Sequence, residues 1–152
     1  MELRKYKPED WDAIAAIHDR ARLDELRLSV GVEAFLSLAE TAENEGLFDG
    51  EVWVACDGAT VLGFVAFADD EVTWLYVSPE RYRSGIGRTL LRQAIDRCGS
   101  VVHTSVLSGN DVALHLYLSE GFAIVETKTG KLNGNEQFSA TGHILRLDKK
   151  EL

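Results

Sequence analysis

The sequence predicts a mixed α/β (α+β) chain with a central sheet flanked by helices, and three observations carry that reading. Two β-rich runs, residues 51–56 and 61–67, are separated by Asp57-Gly58, the turn signal of a hairpin. An apolar run at 71–77 is followed by Gly85 and Gly87 and then by a helix-period segment. Strand-like and helix-like segments then keep alternating to about residue 147.

Each element is justified by its own residues. Residues 3–6 form a short first strand. Lys7-Pro8-Glu9-Asp10 then opens a helix, because proline suits a first helical turn and Trp11, Ile14, Ala15 and Ile17 recur at helical spacing. A second helix is expected over 32–43, stopped by Gly46. After the hairpin, Asp69-Asp70 turns the chain into the strand at 71–77, and the helix beyond the glycine turn ends near Cys98-Gly99. A strand at 101–107, a helix at 111–119 and strands at 122–128 and 138–147 complete the order, with the Gly- and Asn-rich residues 129–137 as a loop. No repeat, linker or low-complexity tract breaks the 152 residues, which read as one domain over 1–152.

With 45% hydrophobic residues, a chain of this length has enough apolar surface for a core without covalent staples. Cys56 and Cys98 lack metal-ligand spacing and the four histidines are scattered singly, so no metal site and no disulfide framework is expected. Nothing at the start has a signal-peptide pattern, and no apolar run approaches the roughly 20 residues that span a bilayer, so a cytoplasmic protein without a membrane partner is expected. A net charge of -9 argues against general nucleic-acid binding, which depends on neutralising phosphates with Lys and Arg. The cations are unevenly spread: Arg81, Arg83, Arg88, Arg92 and Arg97 cluster on and after the glycine turn, either as a solvated helix face or beside an anion.

Gly85 and Gly87 let the backbone approach a ligand closely, and the unpaired amides of a helix start favour an anion, most often a phosphate. A dinucleotide fingerprint would want a third glycine where Leu90 stands, and a P-loop would want Gly-Lys-Ser/Thr where the chain has Gly87-Arg88-Thr89. Tight packing at a strand-to-helix corner is the competing reason for such a glycine pair. In the second segment, Asn110 is placed to cap a helix, Gly121 to end it and Phe122 to start the next strand. Tyr117 belongs with Ala113 on the apolar face, where its hydroxyl needs a partner or a ligand.

Together the two segments resemble the GNAT superfamily of acyl-CoA-dependent N-acetyltransferases. That family's pyrophosphate motif, Gln/Arg-x-x-Gly-x-Gly/Ala after an apolar strand, falls on Tyr82-Arg83-Ser84-Gly85-Ile86-Gly87, with Tyr82 as the one departure. Its later motif, Asn, a small residue, Tyr and Gly-Phe, is matched by Asn110, Ala113, Tyr117, Gly121 and Phe122. The resemblance implies a mixed, mostly antiparallel sheet split beside its fourth strand, 71–77. Acetyl-CoA would be the co-substrate: main-chain groups of Leu75, Tyr76 and Val77 would bond the pantetheine arm, and Arg83, Ser84, Gly85, Ile86, Gly87, Arg88 and Thr89 would hold the pyrophosphate. Asn110 would touch the arm and Tyr117 would face the thioester sulfur. The implied partners are an amine-bearing substrate and, as an open option, a second copy of the chain in a homodimer. A non-catalytic acyl-CoA sensor or interaction module is the alternative.

A lysine-type amine, with a pKa near 10.4, is almost wholly protonated at pH 7, so its attack on a thioester needs a base or a proton wire. An α-amine, near 7.7 to 8.0, needs much less help. CoA leaves with a thiol-like pKa of roughly 8.5, below a tyrosine near 10, so Tyr117 reads as a hydrogen-bond donor to the developing thiolate and as a general acid only if its pKa is depressed. Glu71 is the candidate base, directly or through water, because simple alternation puts it on the strand face of Thr73, Leu75 and Val77; a solvent-exposed carboxylate is the competing reading. His143 is a second candidate. Many relatives carry a glutamate where Thr73 stands, and threonine cannot serve as that base. Substrate recognition is expected from two irregular stretches, the connection at 22–28 and the loop at 129–137, with Asp24, Glu25 and Glu136 as carboxylates that could attract a cation.

Overall fold

A computed structural model describes residues 1–152. Seven strands form one sheet in the order β1-β2-β3-β4-β5-β7-β6. They are β1 (Glu2–Lys5), β2 (Glu51–Asp57), β3 (Thr60–Ala68), β4 (Glu71–Val77), β5 (Val101–Leu107), β6 (Ala123–Lys131) and β7 (Ser139–Asp148). The helices are α1 (Trp11–Arg27), α2 (Leu38–Thr41), α3 (Ile86–Arg97) and α4 (Asp111–Ser119). Every neighbouring pair of strands is antiparallel except β4 and β5, which are parallel and share a single register pair, Glu71 with His103.

That one exception opens the sheet. His103 N–H donates to Asp70 O (2.9 Å), and the buried Thr104 hydroxyl donates to Val72 O (3.0 Å). Beyond this point no ladder joins the two strands, so the β4 backbone edge from Trp74 to Val77 faces a gap. The expected split beside the fourth strand is there.

The two faces of the sheet carry separate cores. Leu90, Leu91 and Ala94 of α3 and Tyr117 of α4 pack on Val65, Phe67, Val102, Leu145 and Leu147, while α1 and α2 cover the opposite face with Ile14, Ile17 and Leu38 on Val54, Phe64 and Trp74. Burying a leucine of this kind stabilises the fold by roughly 1.5–3 kcal/mol. The pairs Phe67 with Val72 and Ala66 with Trp74 leave Thr73 as an extra residue, a β-bulge, with its hydroxyl on Ala66 O at 3.1 Å. Alternation is therefore interrupted, and Val72, not Glu71, lies in the same core as Leu75 and Val77. Glu71 turns to the face of Trp74 and Tyr76, a correction to the simple strand pattern.

Three further expectations are corrected. Residues 22–27 are helical, because α1 runs on to Arg27 through the ion pairs Arg22–Glu25 and Asp24–Arg27 and the fully buried Leu26. The single helix expected over 32–43 is a 3-10 turn at Val32–Ala34 followed by the short α2. Phe35 is extended, and Ser37 starts a new helix through a capping box with Glu40, whose N–H donates to Ser37 Oγ at 3.2 Å. Finally, β6 continues to Lys131, since Thr129, Gly130 and Lys131 find register partners in Thr141, Ala140 and Ser139. Only residues 132–138 remain as the hairpin tip. The tip folds inward: Leu132 is buried with Leu26 and Ala34, and the Asn135 amide donates to Ala34 O at 3.0 Å.

Candidate functional site

The glycine turn lies between β4 and α3, beside the open edge. Pro79–Arg81 makes one 3-10 turn, and Gly85, at φ 84°, is the N-cap of α3. The N–H groups of residues 83 to 88 donate to no backbone carbonyl; that of Thr89, to Gly85 O at 3.0 Å, is the first that does. A run of main-chain donors therefore converges at the positive end of a helix. Crowding does not explain the glycines. A Cβ on Gly85 would meet nothing within 4 Å, and one on Gly87 would sit 3.6 Å from Val77 and 3.7 Å from Leu116, in the space between the strand end and α4. The cradle thus has the donors and the room that a pyrophosphate needs.

The arginine cluster is divided. Arg88 and Arg92 pair with Glu120 (2.5 and 2.6 Å), and Arg97 pairs with Glu51 (2.7 Å) at the far end of the helix. Arg81 and Arg83 pair with no carboxylate, and they flank the free amides. Tyr82, the motif's irregular residue, braces the turn against α1, where its hydroxyl donates to Asp24 Oδ2 (2.9 Å).

Glu25 joins three elements at the split. It accepts hydrogen bonds from Arg22 (2.5 Å), from the Tyr76 hydroxyl of β4 (3.0 Å) and from the Asn110 side-chain amide at the start of α4 (3.1 Å). Asn110 also caps α4 through Ala113 N–H. Gly109 makes the approach possible, because at φ 103° it passes α1 so closely that a Cβ would lie 1.9 Å from Leu28 O. Asp24 and Glu25, expected as carboxylates that could attract a cation, are already engaged, and Glu136 accepts from Gly134 N–H within its own loop. Burial pushes the Tyr76 hydroxyl far up, with Glu25 acting in the same direction.

Tyr117 sits under this network, 6% exposed, with its ring edge-on to Phe122 at 5.4 Å. Burial pushes its hydroxyl up to about 12, against a smaller opposing effect of Thr104. It is thus a donor and not a ready acid.

On the other side of β4 a cleft of about 560 Å³ opens between α1, β4 and the β6–β7 hairpin, in the size range of small-molecule sites. Glu71, Thr73, Trp74 and Tyr76 line it with His18, Arg22 and Glu25. His143 borders the cleft, but alternation puts its ring on the face of Leu145 and Leu147, where Nδ1 meets the Thr127 hydroxyl at 2.9 Å. The structure thus brings Glu71 to the cleft and leaves His143 at its border, with the ring engaged by Thr127. The sequence reading did not single out His18 or Arg22. Their signal was the spacing of Ile14, His18, Arg22 and Glu25, which continues the buried stripe of α1 with polar side chains.

Comparison with known proteins adds a family and a fold. Residues 48–124 match the acetyltransferase (GNAT) domain family. The uncharacterized N-acetyltransferase YafP of Escherichia coli is 29% identical over 98 residues, 62% of this chain and 65% of that protein. The N-alpha-acetyltransferase RimI of Mycobacterium tuberculosis is 40% identical over 78 residues, 51% of this chain and 49% of that protein. The matched segments therefore span less than two thirds of either relative. Among solved structures, yncA of Salmonella typhimurium with its cofactor acetyl-CoA superposes with a TM-score of 0.71 at 23% identity, covering 99% of this chain and 95% of its own.

Proposed function

The chain belongs to the GNAT acetyltransferase family, and from that premise we propose that it transfers an acetyl group from acetyl-CoA to a primary amine of a small molecule or peptide, by direct attack in a ternary complex. The observation that carries this reading is the run of free N–H groups at residues 83 to 88, set beside the unpaired β4 edge. Those amides, with Arg81 and Arg83, suit the pyrophosphate. The main chain of Leu75, Tyr76 and Val77 suits the amides of the pantetheine arm, and Asn110 stands at the same gap. The thioester supplies the activated acetyl group.

The acceptor enters from the 560 Å³ cleft. Its neutral nitrogen attacks the thioester carbonyl, the C–S bond breaks, and the CoA sulfur leaves as a thiolate. The Tyr117 hydroxyl donates a hydrogen bond to that sulfur. Its raised pKa keeps the proton on the tyrosine oxygen, so the role is stabilisation of charge. Glu71, exposed and on the cleft side of the bulge, takes the ammonium proton through water. The test is release of free thiol from acetyl-CoA with a panel of peptides, polyamines, amino acids and aminoglycosides. Release that depends on an amine is expected, and Gly87→Val, which fills the space between Val77 and Leu116, should weaken acetyl-CoA binding at least tenfold in calorimetry. Tight binding with no thiol release for any amine would point to a sensor instead.

A further inference from the structure

His18 is a buried imidazole on the wall of the cleft. Its Nδ1 lies 2.9 Å from Asp19 Oδ1, and because an ionised carboxylate only accepts, Nδ1 carries the ring's proton. The same oxygen accepts Leu38 N–H at 2.8 Å, which ties the carboxylate to the start of α2. Nε2 is then the basic nitrogen. It has no partner within the chain, and no side-chain nitrogen or oxygen of the molecule is both shut off from solvent and unbonded, so Nε2 is where the ring opens on the cleft. Position also favours His18 for the first proton. Glu71 belongs to the one register pair that still joins β4 to β5, roughly 15 Å of strand away from Tyr76. The His18 ring packs edge-on against Tyr76, 4.9 Å between centroids, where the β4 edge is open. There the Tyr76 hydroxyl and the Asn110 amide share the Glu25 carboxylate.

We propose that His18, oriented by Asp19, is the base that first receives the proton of the acceptor nitrogen. The role rests on the acetyl-transfer reading and assigns that reading an inner proton acceptor. As the nitrogen bonds to the thioester carbon, one of its N–H bonds breaks, the electron pair stays on nitrogen, and the proton bonds to Nε2. The imidazolium, paired with the Asp19 carboxylate, then passes the proton through water to Glu71 at the cleft. A nitrogen bonded to the tetrahedral carbon is a far stronger acid than the free ammonium, so a base of modest strength suffices. The charged and titratable groups around the ring are Asp19, Arg22 and Glu25 of α1 and the Tyr76 phenol of β4, while α2 and β3 meet α1 through the apolar Leu38 and Phe64. Burial outweighs the two carboxylates and holds the imidazole below its ordinary value, so it is neutral and able to accept at pH 7. Asp19 touches no reacting atom and is a positioning residue.

Two measurements on the full chain test it: amine-dependent thiol release from acetyl-CoA as a function of pH, and nitrogen NMR of the histidine rings, with the His18 signals assigned by their loss in His18→Gln. The wild-type kcat is expected to fall on the acid side with a pKa below about 6.5. His18→Gln should lower kcat about a hundredfold and remove that acid limb, while KM for the amine and acetyl-CoA affinity stay within about threefold. In the free protein at pH 7.5 the spectrum should show the His18 proton on Nδ1 and a bare Nε2. Asp19→Asn should shift the proton toward Nε2 and lower kcat about tenfold. Circular dichroism confirms that each variant is folded. Wild-type turnover in folded His18→Gln, an acid limb that survives there, or a proton on Nε2 in the wild type would each overturn the role of His18 and leave acetyl transfer standing. A wild type that binds acetyl-CoA and releases no thiol with any amine would remove the transfer reading, and this role with it.

Discussion

Tyr117 shows how burial selects one of two chemical roles. A hydroxyl raised to about 12 cannot give its proton to a thiolate of ordinary pKa, yet it remains a good donor in a dry site. Tyr117→Phe should therefore lower turnover by about tenfold or more while leaving acetyl-CoA affinity within about threefold; steady-state kinetics beside calorimetry separates the two, and unchanged turnover would remove the role. The wild-type rate should also show no alkaline limb near pH 8 to 9 from this residue. His18 is the second buried group of consequence. Burial lowers its pKa, against the opposing contact of Nδ1 with Asp19 at 2.9 Å, and its ring rests edge-on against Tyr76 at 4.9 Å. An imidazole that resists protonation only when folded makes the unfolded chain the better proton acceptor. Stability contributed by neutral His18 is thus full above about pH 6.5 and lost as pH falls from there toward the lowered folded value. Urea midpoints should drop between pH 7.5 and 5.5 in the wild type, and His18→Gln should flatten that drop; an equal slope in both proteins would show that another group titrates.

At the scale of elements, the carboxylate of Glu25 ties α1, β4 and α4 together at the point where the sheet parts. Removing it leaves a guanidinium, a phenol and an amide without their acceptor in a largely buried setting. Glu25→Ala should cost about 2–3 kcal/mol in urea unfolding, and Glu25→Gln, which keeps an acceptor oxygen, clearly less. Comparable losses for the two would mean that the packing of the side chain, and not its hydrogen bonds, holds the junction. These ties explain what could be read from the residues alone. Strands β4 and β5 and helix α4 have the bounds that turn residues and periodicity predict, because Asp69-Asp70, Gly109-Asn110 and Gly121 act locally. The glycine cradle and the later motif were legible for the same reason. The end of α1, the break at Phe35 and the face of Glu71 were not. Each depends on a distant partner: Leu26 on Leu132, Leu38 N–H on Asp19 (2.8 Å), and Thr73 on the register of β3. Periodicity cannot see an extra residue whose effect appears only when the neighbouring strand is laid beside it.

At the scale of the whole molecule, the two cores meet only through the sheet, so each can be perturbed with limited effect on the other. No helix is long and apolar enough to cross a membrane. The glycine cradle and the cleft flank one strand, and the bulge at Thr73 puts Val72 in the α3 core and Glu71 at the cleft. Deleting Thr73 should remove the bulge and leave both faces as they are, because Val72 then precedes Trp74 directly and pairs with Phe67 as before. The deletion and Thr73→Ala should each cost only about 1 kcal/mol and keep thiol release; denaturant titration with the thiol assay compares them, and lost release in a folded deletion variant would show that the bulge itself, and not the facing of Glu71, is needed. In geometric terms the bulge is a parity switch. An odd insertion uncouples the two halves of a single strand, so Glu71 is exposed at the cleft while Leu75 and Val77 keep their place against the α3 core.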